Sequence, residues 1–389
     1  MIVRHNGDIC LEENISESNL SNPGQVSSLS RTEFTNKILV GDALEVLKLL
    51  PDSLVHSIIT SPPYFQVRDY GHKDQIGWEN KESEYIERLI EVFRECRRVL
   101  RDDGTLWVNI DDKFIDGEPL LIPHDFVLAM RRDGWKVGQV VVWSKERLRP
   151  ESVKNRFTRS HEYVFFFSKK KNRYLDTEGV REDSKYTPGF KRSRRSVWSI
   201  NPQTFKGKKN FAVMPKQLAQ IMIMASTPDP GVCPVCGSPY HRIVHKKKVE
   251  KPTEQMIRSG ANKLGEYKGV SHGNPELFLA ENPSDLKRRV LESMSYEREY
   301  EWVPGCEHKE NSVPAIVLDP FSGEGTTALA SLELGRNFIG IELNPETAND
   351  SIGRLSSFIN TKEDEVKITT LSLSEVANGE IRDIREEKQ

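Results

Sequence analysis

Short apolar runs alternate with amphipathic stretches along most of the chain, and this alternation predicts an α/β fold. Strand-like runs occur at 37–42, 54–59, 105–110, 138–143, 161–167, 315–319 and 338–342. Helical periodicity is found between them, at 43–50, 85–100, 123–132, 211–225 and in the stretch that ends at Gly335. Strands that alternate with helices in this way form a mostly parallel sheet with helices on both faces. We therefore expect a seven-stranded sheet of this kind.

Two local features refine this expectation. The interval between the runs 138–143 and 161–167 has no helical pattern, so these two strands are predicted to pair antiparallel. Residues 101–104, with the sequence Arg-Asp-Asp-Gly, are predicted to form a turn before the next strand.

Composition divides the chain into five segments. Residues 1–33 are rich in Ser, Asn and Glu and carry no sustained apolar period, so a loose or disordered N-terminal segment is expected. Residues 34–228 and 314–361 carry the strand and helix pattern of one domain. Residues 229–313 form a polar insertion between its two parts, and residues 362–389 are expected to be a loose tail.

Hydropathy, cysteine content and charge argue against a membrane or secreted protein and point to a nucleic-acid-binding one. No apolar run reaches the roughly 18 residues that span a bilayer, and the N-terminus lacks the layout of a secretory signal. Five cysteines in 389 residues do not make a disulfide scaffold, so we expect a cytoplasmic protein with no membrane association. The net charge of −2 conceals a basic stretch, since residues 145–209 hold 19 Lys and Arg against 7 Asp and Glu. A run of charge is usually only a solvated face, but an imbalance over a whole segment favours a nucleic-acid-binding surface.

The first candidate site follows the strand 54–59. The sequence Thr60-Ser61-Pro62-Pro63-Tyr64 ends this strand abruptly, because proline donates no ladder hydrogen bond and restricts the residue before it. The result is a stiff turn that carries a hydroxyl, backbone carbonyls and an aromatic ring. In open α/β sheets, ligands bind at the carboxyl ends of the strands.

The second candidate site follows the strand 315–319. A strand that ends in Asp319, then Gly323-x-Gly325, then a helix that begins with Thr326 and Thr327, is typical of a nucleotide-binding turn. Glu342 ends the next strand and suits a ribose diol. The motif is neither a Walker loop nor a complete dinucleotide fingerprint, because the following lysine and the third glycine are missing.

Together the two motifs resemble those of the S-adenosylmethionine-dependent DNA amino-methyltransferases, and Ser-Pro-Pro-Tyr is similar to the N4-cytosine branch. The resemblance covers about 34–228 and 314–360. It implies a Rossmann-like sheet in which the catalytic motif precedes the cofactor motif, a circularly permuted order. It also implies that S-adenosyl-L-methionine is held by the following residues: Asp42 at the adenine edge, Asp319, Phe321, Gly323, Gly325 and Thr326 around the methionine part, and Glu342 at the ribose. Residues 210–215 resemble a further cofactor-side motif of the family.

The chemistry expected at Ser61, Pro62, Pro63 and Tyr64 is methyl transfer to an exocyclic amine of a flipped base in double-stranded DNA. The Ser61 hydroxyl and the Pro62 carbonyl would accept hydrogen bonds from the amine, and Tyr64 would stack on the base. The alternative within the family is adenine N6, where Asp is commoner at the position of Ser61. A more distant alternative is an RNA or protein amide methyltransferase. Transfer to carbon 5 commonly uses a Pro-Cys pair, which the chain lacks.

The insertion carries a candidate zinc site. Cys233-x2-Cys236-Gly237 has the spacing of a zinc knuckle, and Cys306-x-His308 can complete four ligands. His241 or His245 are alternatives to His308. We expect a structural Zn²⁺ that lets this polar segment fold.

The basic segment 144–210 is predicted to be the main DNA-contact surface. Arg192, Arg194 and Arg195 lie where the resemblance places target-recognition residues, and a polar loop that contains Arg68 is expected to cover the site. A cognate restriction endonuclease that acts on the same sequence is a further expected partner. The other predicted DNA-binding residues are Lys154, Arg156 and Arg159.

Overall fold

The computed structural model describes residues 34–69, 75–147, 151–152, 154–184, 191–202, 214–248, 296–359 and 369–372. The predicted loose segment 1–33 and residues 210–213 of the further cofactor-side motif lie outside this part of the chain. Contacts divide the protein into two compact units. The first comprises Met1–Leu175, Ser196–Asp229 and Pro314–Gln389, and the second comprises Asp176–Arg195 and Pro230–Val313.

The first unit is built on a nine-stranded sheet rather than the seven strands expected. Its strands are β1 (Lys37–Val40), β2 (Val55–Thr60), β3 (Leu100–Ile110), β6 (Lys136–Ser144), β7 (His161–Ser168), β10 (Val197–Ser199), β13 (Ile316–Asp319), β14 (Asn337–Glu342) and β15 (Thr369–Ser372). The order across the sheet is β10-β6-β7-β3-β2-β13-β14-β1-β15.

The two additional strands lie at the edges of the sheet. The three-residue β10 pairs with β6, and β15 pairs with β1, so part of the segment predicted to be a loose tail belongs to the sheet. Both strands are too short to give a clear period-2 pattern, and backbone pairing with a neighbour defines them.

Pairing is mostly parallel, as predicted. The exception is β7, which runs antiparallel to both β6 and β3, and this confirms the antiparallel pair expected from the sequence. The predicted turn at 101–104 is wrong, because these residues belong to β3. A Cβ on Gly104 would lie 2.8 Å from the carbonyl oxygen of His56, so the glycine permits close approach of the neighbouring strand.

Helices pack on both faces of the sheet. They are α1 (Ala43–Leu49), α2 (Glu82–Val99), α3 (Ile122–Arg132), α4 (Lys216–Ser226), α5 (Thr326–Glu333) and α6 (Pro345–Ile359). Alternation along β1 divides the core: Leu39 joins the cluster of α1, α2 and α3, whereas Ile38 joins the cluster of α5 and α6. Among the described helices, none is long and apolar enough to cross a membrane.

The second unit contains two small antiparallel pairs. These are β8 (Glu182–Asp183) with β9 (Lys191–Arg192), and β11 (His241–Lys248) with β12 (Tyr296–Val303). The sequence had placed residues 176–195 in the basic part of the catalytic domain, but their contacts group them with the insertion. Arg242 joins the two parts, since its Nε donates to Asp176 Oδ2 at 2.9 Å and its guanidinium lies over the Trp302 ring.

The last pair of short strands belongs to the first unit. β4 (Phe114–Ile115) and β5 (Glu118–Pro119) form a hairpin after β3. Its turn uses Asp116 and Gly117, both at positive φ, a conformation that glycine and aspartate tolerate better than most residues.

Candidate functional site

The two motifs meet at one edge of the sheet. Strands β2 and β13 are parallel neighbours, with Ile58 opposite Leu318, so their carboxyl ends lie side by side. Thr60 Oγ1, at the end of β2, donates to Asp319 Oδ1 at 2.6 Å across 259 positions of sequence. This hydrogen bond joins the Ser-Pro-Pro-Tyr turn directly to the glycine-containing turn.

Asp319 is the buried centre of that edge. Its Oδ2 accepts from Thr327 Oγ1 at 2.7 Å, and its Oδ1 also accepts from the Phe321 amide at 3.1 Å. Burial raises the pKa of the Asp319 carboxyl to about 6, although these three hydrogen bonds act in the opposite direction. The carboxylate thus holds the end of β2, the turn after β13 and the first turn of α5 in fixed positions.

The glycine-containing turn leaves room for a ligand. Gly323 has φ +51, and no atom lies within 4 Å of the position that its Cβ would take. Its amide donates to Glu342 Oε2 at 2.9 Å, and Oε1 of the same carboxylate accepts from Asn344. Gly325, at φ +73, packs against Ser351, where a Cβ would clash at 2.3 Å. An open backbone position therefore lies beside a carboxylate held at the end of β14, which is the arrangement expected of a nucleotide-binding turn.

The other predicted cofactor residues lie at the same edge. Asp42 caps α1, since its Oδ1 accepts from the amides of Leu44 and Glu45, and Val40 of its strand is paired with Glu342. Phe321 packs partly against the core, and Thr326 is the first residue of α5.

The Ser-Pro-Pro-Tyr turn is fixed by its own contacts. Tyr85 of α2 donates its hydroxyl to the Pro63 carbonyl at 2.8 Å. Gly77, at φ +93, approaches so closely that a Cβ would lie 3.0 Å from the Tyr64 carbonyl oxygen. Ser61 Oγ donates to Tyr64 OH at 3.2 Å. The four residues predicted to be catalytic therefore present one hydroxyl and one ring in a defined orientation.

Sequence reasoning missed the polar group behind Tyr64. Tyr64 OH donates to Glu162 Oε2 at 2.8 Å, and Asn109 Nδ2 donates to the same oxygen at 2.7 Å. Lys145 Nζ forms an ion pair with Glu162 Oε1. Burial, together with the charges of Glu162 and Asp111, raises the pKa of Tyr64 well above its usual range, so the phenol stays protonated. The available signal was one acid, Glu162, directly before the apolar and aromatic run Tyr163 to Phe167, and one asparagine in β3.

A second carboxyl lies beside this group. Burial, and then the charge of Glu162, raise the pKa of the Asp111 carboxyl to about 7, whereas the neighbouring Arg159 and Lys145 lower it. Arg159 Nη2 lies 3.2 Å from Asp111 Oδ2, and its Nη1 donates to the Asp112 carbonyl. Arg159, predicted to bind DNA, is thus engaged by the loop after β3.

The remaining predicted DNA-binding residues lie in three places. Arg156 pairs with Glu151 at 3.0 Å and stacks 4.1 Å from the centre of the Phe114 ring, and Lys154 beside it is exposed. The carbonyl of Arg68 accepts from Gln75 in the loop after Tyr64. In the second unit, three arginines surround Glu182: Arg192, Arg194 and Arg195.

The predicted metal ligands come together in the second unit. One ligand atom from each of Cys233, Cys236, Cys306 and His308 lies within 4.8 Å of the others. Gly237 closes the knuckle, since its amide donates to the Cys233 carbonyl at 2.8 Å and its φ is +71. His245 lies elsewhere on β11, where its Nε2 is 2.9 Å from Glu301 Oε2. This set of three thiols and one imidazole is one that Zn²⁺ prefers.

The buried carboxyl of Asp319 predicts a pH-dependent stability. Its folded-state pKa of about 6 lies above the ordinary value of 3.8. The stability that the protonated carboxyl contributes to the folded state is therefore fully present below pH 4 and is lost as the pH rises through 6. Asn at this position can keep hydrogen bonds to both threonines without ionising. Between pH 4 and 7.5, the free energy of unfolding of Asp319→Asn should rise relative to wild type by about 2–3 kcal/mol. Urea unfolding at several pH values measures this difference.

The matched control is Asp350→Asn, because Asp350 is an exposed carboxylate on α6. Its stability curve should run parallel to that of the wild type. Parallel curves for Asp319→Asn as well would show that the buried carboxyl carries no ionisation cost.

Comparisons with known proteins agree with this geometry. The family N6_N4_Mtase, described as DNA methylase, matches residues 55–352. The chain is 31% identical to the type II methyltransferase M.Cfr9I of Citrobacter freundii over 86% of its own length and 94% of that protein. It is 44% identical to the type II methyltransferase M.MwoI of Methanothermobacter wolfeii over 78% of its own length and 43% of that protein.

A solved structure shares the fold. PvuII DNA methyltransferase (cytosine-N4-specific) matches with a TM-score of 0.51 at 15% identity, and the match covers 88% of this chain and 93% of that one. The family match spans more than half of the chain and the first relative is similar over nearly its whole length. The chain therefore belongs to the N6/N4 family of DNA methylases and is an S-adenosylmethionine-dependent DNA methyltransferase.

Proposed function

We propose that this enzyme transfers a methyl group from S-adenosyl-L-methionine to the exocyclic N4 amine of cytosine in double-stranded DNA, after the base has been flipped out of the helix. The observation that carries the proposal is the Ser61-to-Tyr64 turn, which Thr60 and Asp319 hold beside the open glycine turn. A base bound at the first turn and a cofactor bound at the second are then neighbours. Such placement can supply several kcal/mol of the activation barrier.

Methyl transfer to the exocyclic amine requires hydrogen-bond acceptors for its N–H groups. The lone pair of the exocyclic nitrogen is conjugated into the ring, so the amine is a poor nucleophile. Hydrogen bonds from its two N–H groups to the Ser61 hydroxyl and the Pro62 carbonyl favour a pyramidal nitrogen. The Pro63 carbonyl already accepts from Tyr85, whereas among the described residues none donates to the Pro62 carbonyl. The Tyr64 ring is the stacking surface for the base.

The cofactor is assigned to the second turn. Gly323 and Gly325 let the backbone approach the methionine part, and Phe321 and Thr326 lie on either side of them. Glu342 holds the ribose and Asp42 lies at the adenine edge. Asp319, whose two oxygens already accept from Thr60 and Thr327, acts chiefly by positioning the two turns and by its negative charge near the methyl sulfonium. The circularly permuted order of the motifs remains part of this proposal.

Adenine N6 is the competing target, because the matched family contains enzymes of both kinds. Ser61 favours cytosine, since the adenine enzymes that the motif resembles more often have Asp at this position. The cytosine-N4 specificity of the PvuII enzyme supports the same choice.

Methylated DNA should therefore contain N4-methylcytosine, identified by mass after digestion to nucleosides. Ser61→Ala should reduce turnover by roughly a hundredfold or more, because it removes one acceptor from the amine, while S-adenosylmethionine still binds in calorimetry. Ser357→Ala is the control, since Ser357 lies on α6 and donates to the Gly353 carbonyl. N6-methyladenine as the product would overturn the choice of base, and near-normal turnover of Ser61→Ala would overturn the site.

A structural zinc ion is the second part of the proposal. Three thiolates and an imidazole around Zn²⁺ at about 2.3 and 2.0 Å make a closed tetrahedral site. Cys233 and Cys236 stand at the start of the insertion, and Cys306 and His308 stand near its end. Val232, just before the first ligand, and Val313, after the last one, also pair with each other in an isolated antiparallel bridge. The metal would therefore hold the two ends of a polar segment that has little core of its own.

The purified protein should contain about one zinc per chain by metal analysis. His308→Ala should lower the zinc affinity, measured by competition with a chelator, because the closed site loses its fourth ligand. His245→Ala should keep the affinity of the wild type, since His245 pairs with Glu301 instead. If protein purified under reducing conditions contains no zinc, the proposed zinc site is refuted. If only His245→Ala lowers the zinc affinity, the fourth ligand is His245 rather than His308.

The DNA-contact surface is assigned to the basic segment 144–210, but the residues in it have different roles. Arg159 is engaged by Asp111 and Asp112, so its part is to support the site rather than to meet phosphates. Lys154 is exposed and therefore placed to meet phosphates. Arg156 stays assigned to the same surface, although Glu151 pairs with it, and Phe157, which directly follows Arg156, is 99% exposed. An exposed aromatic ring beside cations suits contact with unstacked DNA. The arginines around Glu182 in the second unit are assigned to target recognition.

Each phosphate contact that is lost should reduce the slope of log affinity against log salt by roughly 0.9. We expect this change for Lys154→Ala and Arg156→Ala, with cofactor affinity unchanged. Arg131→Ala on α3 is the control, because it removes an exposed arginine at the end of a helix in the same unit. Unchanged slopes for both variants, measured by DNA binding at several salt concentrations, would place the DNA surface elsewhere.

A cognate restriction endonuclease is the remaining partner proposed. The relatives are named type II methyltransferases, and such an enzyme would protect a site that a partner nuclease cuts.

A further inference from the structure

Glu162 lies behind the Ser-Pro-Pro-Tyr turn and has more partners than a simple packing role requires. It is 6% exposed, on β7, between a pair of antiparallel neighbours. Its Oε1 pairs with Lys145, and its Oε2 accepts from both Asn109 and Tyr64. The charged groups that face it are Lys145 after β6, Asp111 after β3 and, through Asp111, Arg159 before β7.

The direction of the hydrogen bonds follows from the donor inventory of each group. A carboxylate only accepts, so the single proton of the Tyr64 phenol is committed to Glu162. The phenol oxygen can then only accept, and the hydroxyl proton of Ser61 is committed to it. The Ser61 oxygen therefore presents lone pairs alone in its remaining directions. This polarity is set two side chains away, by the charge on Glu162.

We propose that Glu162 is a positioning residue for methyl transfer, which acts through Tyr64 to keep the Ser61 hydroxyl an acceptor toward the target amine. The inference rests on the proposed function, since it assumes that the amine is bound at Ser61. With the opposite polarity, Ser61 would point its proton at the amine and compete for the lone pair that attacks the methyl group. The carboxylate thus decides whether Ser61 helps or hinders the nucleophile.

The same chain of hydroxyls gives the released proton a route. The amine nitrogen forms a bond to the methyl carbon as the carbon–sulfur bond breaks, and the sulfur keeps the electron pair. The nitrogen then carries a positive charge and loses one proton. That proton passes to Ser61 as the Ser61 proton passes to Tyr64 and the Tyr64 proton passes to Glu162. Glu162 ends protonated, and solvent removes the proton before the next turnover.

Glu162→Gln tests the polarity, because it keeps the shape and removes the charge. The ammonium of Lys145 holds the amide oxygen of Gln, so the amide nitrogen is turned toward Tyr64 and donates to the phenol oxygen. The hydrogen bonds of Tyr64 and Ser61 then reverse. Glu162→Asp keeps the charge on a shorter side chain. Tyr64→Phe keeps the ring and cuts the chain.

The experiment measures single-turnover methylation of DNA, with S-adenosylmethionine and DNA both saturating, together with their KM values. We expect Glu162→Gln to lower the rate roughly a hundredfold, Glu162→Asp to recover most of it, and both KM values to change little. In the Tyr64→Phe background, Glu162→Gln should have almost no further effect, because the link to Ser61 is already absent. Glu91→Gln, an exposed carboxylate on α2, should match the wild type.

Three outcomes would overturn the inference. They are a near-normal rate for Glu162→Gln, an equal loss for Glu162→Asp and Glu162→Gln, and a full additional loss when Glu162→Gln is added to Tyr64→Phe. The last two would mean that Glu162 only holds the strands together. Nucleoside analysis of the wild-type product separates this test from the proposed function. An adenine product would refute the choice of base, but the comparison of variants would still test the hydroxyl chain, because adenine also presents an exocyclic amine.

Discussion

The hydrogen bonds to the Asp319 carboxylate are the constraint on which the site depends. Thr60 comes from β2 and Thr327 from α5, the helix that follows the glycine turn, and both donate to this one buried group. Burying a carboxylate costs free energy, and each hydrogen bond offsets only a part of it. Its raised pKa is the sign of that balance. Buried carboxyls with a raised pKa are concentrated at functional sites, so this cost agrees with the site proposed at the two turns.

A second buried carboxylate, that of Glu162, holds the other end of the Ser-Pro-Pro-Tyr turn through a hydrogen bond from Tyr64. Glu162 is paired with Lys145, so the charge is neutralised, and its remaining capacity is directed at Asn109 and Tyr64. The Ser-Pro-Pro-Tyr turn is therefore held from two directions, by Asp319 at its start and by Glu162 at its end. Proline restricts the backbone between them, so few conformations are open to the turn.

The sequence was informative where a pattern is local. It placed the core strands, the antiparallel pairing of β6 with β7, and both motifs at the carboxyl edge of the sheet. The edge strands β10 and β15 were missed because three or four residues carry no readable period, and residues 101–104 were misread because Asp and Gly favour turns in isolation. The partners of Tyr64 were missed because Asn109, Lys145 and Glu162 come from three separate strand ends that only tertiary pairing brings together.

The arrangement also explains why residues 176–195 belong with the insertion despite their position in the sequence. They are basic, but three of their arginines are directed at one acid, Glu182, and Asp176 is held by Arg242 of β11. The excess of basic residues had placed them in the predicted DNA-contact surface 144–210. Ion pairs consume much of that charge within the second unit, so the net basicity of a segment overstates what is available to a phosphate backbone. Lys154, which is exposed and beside an exposed aromatic ring, is a better indicator of nucleic-acid contact than the excess of the whole stretch.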